Sequence, residues 1–225
     1  MEVATLLTAI AALLTSFITM FTVSEMRKQR VVSHLPIIKV LGGYVRVEID
    51  ENQNWSWNNE TLQIGNFGKG VALDVKVKWE VPISDVITML KKYDPHNVKD
   101  FTLDNNFLNL DNSAHNIKLQ SEKFFPAITE SLQSPNDITI PYYLTTAFGK
   151  YINESIINRP ESSKAKSINF QDFPTANIKI SYLDLNNNSH EKNFSLSIGI
   201  TTVKKSSEGK KGDASIIFDV QEKSA

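Results

Sequence analysis

Cysteine is missing from the 225-residue chain. That excludes a disulfide scaffold, a thiolate zinc site, an iron–sulfur cluster and a cysteine nucleophile. An excess of positive charge is missing too. The chain holds 24 Lys and Arg against 25 Asp and Glu, a formal net charge of −1, which argues against a generally basic nucleic-acid binder. No two histidines are spaced to share a metal. His34, His96, His115 and His190 lie far apart, three of them in predicted loops, and read as solvated side chains. What remains is 41% hydrophobic and 9% aromatic, the make-up of a folding chain. Its length suits one medium domain with an appendage.

The appendage is at the N-terminus. Residues 3–23 contain no charge, proline or glycine. As a helix they reach about 30 Å, the thickness of a hydrocarbon core. Six Ser and Thr residues dilute the run, but a helix satisfies hydroxyls on its own carbonyls. A cleaved signal peptide needs a positive n-region, and Met1-Glu2 supplies none. The flank Ser24-Glu25-Met26-Arg27-Lys28-Gln29-Arg30 reads as a stop-transfer sequence. Arg27, Lys28 and Arg30 therefore predict a single-pass topology in the inner (plasma) membrane, N-terminus outside and the C-terminal domain cytoplasmic. Membrane lipid is the expected partner of residues 3–23. Ala4, Thr8, Ala12 and Ser16 recur every four residues, a small-residue face that would let two copies pack as a homodimer.

Three segments follow: an anchor over 1–24, a cationic juxtamembrane linker over 25–35, and a domain over 36–225. His34-Leu35-Pro36 ends any continuation of the helix, because the residue before proline avoids the α region. Beyond it the periodicity becomes two. In Val71–Trp79, Val71, Leu73, Val75, Val77 and Trp79 are expected to share the buried face, with Ala72, Asp74, Lys76 and Lys78 on the wet one. Tyr44–Ile49, Ile178–Tyr182 and Phe194–Ile200 repeat the alternation, the last two joined as a hairpin across Leu185–His190. Shorter strands are expected near 36–41, 62–64, 101–104, 107–110, 116–119, 138–143 and 214–220. Gly65–Gly70 reads as a glycine-permitted hairpin turn between Leu62–Ile64 and the Val71 strand. Two short helices interrupt: Asp85–Tyr93, capped by Ser84, and Thr146–Asn158. The fold class is mainly β: an N-terminal transmembrane helix, then an antiparallel β-sandwich with about two short helices.

No pattern supports catalysis. Gly65-Asn66-Phe67-Gly68-Lys69-Gly70 lacks the order of a phosphate loop and is followed by a strand. Ser163-Lys164-Ala165-Lys166 matches S-x-x-K, but in a polar loop that does not present lysine to serine. Asp104 and Asp111 near His115 define no site. The expectation is a protein with no catalytic, metal or cofactor residues. Residues 31–225 hold 21 Lys and Arg against 23 Asp and Glu, yet Lys69, Lys76 and Lys78 gather locally and form the candidate partner-binding surface. A second lysine group, Lys204, Lys205, Lys210 and Lys211, falls in a polar loop. The 20 asparagines and five Asn-x-Ser/Thr sequons read as coding bias.

Glu25–Arg30 after the apolar span, the run Ile64–Trp79 and Ile180-Ser181-Tyr182-Leu183-Asp184 together resemble a group of uncharacterised bacterial membrane-anchored proteins with an immunoglobulin-like β-sandwich. That resemblance implies anchoring and fold, and carries no catalytic residue. Bacterial abortive-infection proteins share the layout of one span and a small cytosolic domain. The expectation is thus a membrane-tethered, non-enzymatic module that binds a protein partner. The alternative is a membrane-anchored nucleic-acid-binding protein of phage defence.

Overall fold

The computed structural model describes residues 2–50, 55–56, 60–93, 102–110, 113–130, 135–152, 173–205 and 212–223. Helix α1 (Glu2–Ser33) is 32 residues long, about 48 Å at 1.5 Å per residue. Its stretch Leu7–Arg30 is long and apolar enough to cross a membrane, and none of its apolar window is buried against the rest of the chain. Thr15, Thr19 and Thr22 each donate to the carbonyl four residues back at 2.8 Å, so these hydroxyls are satisfied within the helix. The helix runs on through the cationic flank and stops where Pro36 requires it to.

The domain is built on antiparallel sheets. A small sheet has the order β1-β4-β10, formed by β1 (Ile38–Leu41), β4 (Thr61–Asn66) and β10 (Asn136–Thr139). A seven-stranded sheet contains β2 (Gly43–Ile49), β3 (Trp55–Ser56), β5 (Ala72–Glu80), β9 (Glu122–Ile128), β11 (Ala176–Leu183), β12 (Ser189–Lys205) and β13 (Gly212–Glu222). Its order is β3-β2-β13-β12-β11-β5-β9. A third, small sheet is β6-β7-β8, from β6 (Thr102–Asp104), β7 (Phe107–Leu110) and β8 (Ser113–Asn116). One continuous core joins Ile38, Leu62, Ile64 and Ile138 of the small sheet to Val75, Val77, Trp79, Ile178, Ile180, Leu196 and Ile216 of the large one. The arrangement is sandwich-like, as the alternation predicts.

Helices α2 (Ile83–Tyr93) and α4 (Tyr142–Ile152) close the core. Val86, Met89 and Leu90 are buried on α2, and Tyr143, Leu144, Ala147, Phe148 and Tyr151 on α4. Both helices begin earlier than expected, each directly after a proline. The Pro82 carbonyl accepts from Asp85 and Val86 at 3.0 Å, and the Pro141 carbonyl accepts from Leu144 at 2.9 Å. Proline's fixed φ suits a helix start and its missing N–H is no loss there. Ser84 is therefore inside the first turn and is not the cap. Thr145 and Thr146 stay helical because both hydroxyls donate to the Tyr142 carbonyl at 2.9 Å. Residues 153–158 of the expected second helix lie outside the described residues.

Three other expectations are corrected, and an edge strand, β9, stands where none was expected. Residues 117–120 form a helical turn, α3 (Ile117–Gln120), not a strand, because the Asn116 side chain caps it by accepting from Leu119 N–H at 3.1 Å. The strand expected over 138–143 ends at Thr139. Strand β9 escapes periodicity because Pro126 interrupts it, and it lies at the sheet edge, where a missing N–H is tolerated. Third, Asp74 adopts φ 51° and the pairing with β11 shifts between Ser181 and Leu183. This bulge turns Ala72 inward and leaves Val71 and Leu73 half-buried, against the uniform alternation. Beyond it, Val75, Val77 and Trp79 face the core and Lys76 and Lys78 face water, as predicted.

Candidate functional site

The outer face of the large sheet carries the densest chemistry. Lys76 and Lys78 project from β5. Register places Lys179 of β11 directly opposite Lys78, and Phe124 of β9 opposite Lys76. These side chains, with Ser181 and Glu122, line a shallow groove of about 480 Å³. Phe124 is half exposed within it. Like charges directly opposite one another destabilise a sheet, so Lys78 beside Lys179 carries a cost. Flanking carboxylates relieve it. Lys78 lies 3.6 Å from Glu80 and Lys179 2.8 Å from Glu191. The hydrogen bond with Glu191 raises the Lys179 pKa and lowers that of Glu191. Both pairs are solvent-exposed, so they exchange readily for an incoming anion. Lys76 makes no ion pair among the described residues.

Lys69 does not join this group. Gly65–Gly70 is not a hairpin turn: β4 and β5 belong to different sheets, and the segment crosses between them. It wraps around the exit of α1. A Cβ on Gly70 would stand 1.8 Å from the His34 carbonyl oxygen, and one on Gly68 2.3 Å from that of Leu35. Only glycine admits that backbone-on-backbone contact. Asn66, fully buried, ties the crossing together. Its Oδ1 accepts from Ile37 N–H at 2.9 Å and Gly68 N–H at 3.0 Å. Its Nδ2 donates to the Gly70 carbonyl and to that of Ile128 at 3.3 Å. The glycines were legible as backbone-permissive positions; the part they contact was not.

Two histidines depart from the solvated reading. His115, on β8, is 5% exposed, its ring 5.4 Å from that of Tyr142, and its Nε2 has no hydrogen-bond partner among the described residues. Burial lowers its pKa, which keeps it neutral. His190 stacks on Tyr182 at 5.2 Å and lies 2.9 Å from the buried Asp184 carboxylate. Asp184 also accepts from the N–H groups of Asn186 and Asn188 and from the Asn188 side chain. His190 first, then Asn188, hold its carboxyl well below the usual range. This network closes the β11–β12 hairpin. His34 is exposed at the helix exit, and His96 lies outside the described residues.

Asp104 is exposed on β6, while Asp111 and Ser163–Lys166 fall outside the described residues. Among the described residues no three His, Asp or Glu side chains are grouped to hold a metal. Lys204 and Lys205 are the last residues of β12, not of a loop. On α1, Arg27, Lys28 and Arg30 follow the apolar stretch, with Lys28 4.0 Å from Glu25. Thr8, Ala12 and Ser16 are exposed along the helix, and the side chain of Ala4 is outside the described set.

Over residues 3–201 the chain matches the profile of a family described as a domain of unknown function (DUF8453). No curated protein and no solved structure matches it. With both α1 and most of the sheet domain inside the matched region, the chain belongs to that family.

Proposed function

We propose that this member of a family without an assigned activity is a membrane-tethered, non-enzymatic interaction module. Its α1 holds it in the bacterial plasma membrane, with Arg27, Lys28 and Arg30 keeping the domain on the cytosolic side. Its large sheet receives an acidic protein segment across the outer face. The observation that carries this reading is the row of Lys76, Lys78 and Lys179 beside the half-exposed Phe124, in which Lys78 and Lys179 hold only exposed, exchangeable carboxylates and Lys76 has no ion pair among the described residues. A negative segment offsets the lysine repulsion, and an apolar side chain next to it covers Phe124. Tethering raises the local concentration of whatever is bound. The flanking Glu80, Glu122 and Glu191 disfavour a long polyphosphate backbone, which would meet them in turn.

The test uses the full chain in detergent and two probes of equal charge: a labelled peptide of alternating Glu and Leu, and a single-stranded oligonucleotide. The peptide should bind, and Lys76→Glu with Lys179→Glu should abolish that binding without moving the thermal midpoint. Binding of the oligonucleotide alone, falling steeply with salt, would replace this reading by the nucleic-acid one. Binding of neither probe would remove the sheet face as the working surface.

A further inference from the structure

The junction between α1 and the sandwich contains no slack. His34 N–H closes the last turn of α1 on the Arg30 carbonyl at 3.2 Å. The next residues are already gripped by the domain. The His34 and Leu35 carbonyls press on Gly70 and Gly68. Pro36 is buried, with its carbonyl 3.5 Å from the Tyr182 hydroxyl. Ile37 gives its N–H to Asn66 and accepts from Phe67 N–H at 2.8 Å. One end of the sandwich therefore begins where the helix stops.

That end has a distinct surface. Leu183 pairs with Leu73, so the hairpin tip that follows it extends past the start of β5 towards the same end. Ile37 is 47% exposed, Phe67 37% and Leu185 62%. The Lys39 ammonium stands 5.7 Å over the Phe67 ring, and Lys69 is exposed at the tip of the glycine segment. The Asp184 carboxylate of the hairpin is turned inward onto its own loop. Exposed Asp74 and Glu130 lie at this end too, but around Phe67 the exposed apolar side chains are interleaved with Lys39 and Lys69, the composition of a surface that lies at a bilayer interface. With residues 3–23 across the hydrocarbon core, residues 24–33 add about 15 Å of helix, so the junction follows within about two helical turns of the headgroup layer.

We infer that this end of the sandwich rests on the bilayer that α1 spans, with Phe67 and Leu185 in the headgroup layer and Lys39 and Lys69 against lipid phosphates. The inference rests on the reading of α1 as a membrane span. It assigns Lys69 to lipid and separates it from Lys76 and Lys78. At ~3.3 Å per residue along β5, those two are held roughly 13–20 Å further from the surface, facing a partner in the aqueous phase.

The absence of cysteine makes the test direct. The full chain is placed in phosphatidylcholine–phosphatidylglycerol vesicles with single spin labels at Lys69→Cys, Leu185→Cys, Lys78→Cys or Ser197→Cys. Labels at 69 and 185 should lose collisions with an aqueous nickel chelate and gain them with oxygen, while labels at 78 and 197 stay fully aqueous. Lys39→Glu introduced beside the 69 label should restore its access to the chelate. Equal chelate access at all four positions, in protein that resists alkaline carbonate extraction, would overturn the resting surface and leave the span intact. Release by carbonate would overturn the span and the inference with it.

Discussion

Asn66 offers the sharpest test of how α1 is joined to the domain. Its side chain is fully buried and serves four backbone groups: the N–H of Ile37 and Gly68, and the carbonyls of Gly70 and Ile128. Leucine is close in size, so Asn66→Leu removes the polar atoms with little change in packing. Both donors then lose their acceptor, and each orphaned buried group costs about 1–3 kcal/mol. The carbonyls are the more forgiving half, since a second lone pair finds other partners. The expected loss is roughly 3–5 kcal/mol, a large part of the ~5–15 kcal/mol that holds a domain together. Gly70→Ala should be comparably harmful, because its Cβ would overlap the His34 carbonyl. Lys69→Ala, on the same segment but exposed, should stay within about 0.5 kcal/mol. Urea unfolding of the full chain in mild detergent reads all three through the fluorescence of Trp79, which is 3% exposed, with Trp55 and Trp57 replaced by Phe. A loss below about 1 kcal/mol for Asn66→Leu would refute the clamp. It would mean that the glycine segment drapes over the linker without holding it.

Three further outcomes are expected. Val75→Asp buries a carboxylate without a partner and should unfold the domain, whereas Lys76→Asp should leave the thermal midpoint in place; the reverse result would mean the face assignment beyond the Asp74 bulge is inverted. Stability should fall as pH drops below about 6.5, because unfolded His115 takes up a proton there while the buried ring resists it, so the unfolded state binds more protons; His115→Phe should flatten that slope in urea titrations at pH 7.5 and 5.5, and an unchanged slope would assign it elsewhere. A reporter fused after Ala225 should be active in the cytosol, and neutralising Arg27, Lys28 and Arg30 together should weaken that preference; activity on the opposite side would reverse the topology.

Much of the fold was legible because periodicity is local information. An uncharged run the length of a hydrocarbon core specifies a helix long and apolar enough to cross one, and α1 is such a helix. Alternation from Val75 to Trp79 and from Ile178 to Tyr182 specifies strands with one wet face, and those residues are buried as the alternation requires. Proline at 36 specified the end of the helix. The same locality explains the errors. Thr145-Thr146 lowered the helical signal of a segment whose hydroxyls bond back to its own first turn. Pro126 hid an edge strand that can do without one N–H.

Only tertiary structure could say which segments meet. Lys76 and Lys78 were readable as a wet pair. Lys179 and Phe124 join them through pairing of segments a hundred and about fifty residues away, which no period along the chain records. Gly68 and Gly70 announce a tight backbone, but a glycine's sequence context is the same whether it turns a hairpin or admits the exit of a neighbouring helix. The structure decided for the latter, and so placed Lys69 at the end of the sandwich beside α1, apart from Lys76 and Lys78. Side-chain pattern sets each element's type and wet face because burial acts on the residue itself; the neighbours it acquires follow from a global packing that many local patterns satisfy equally well.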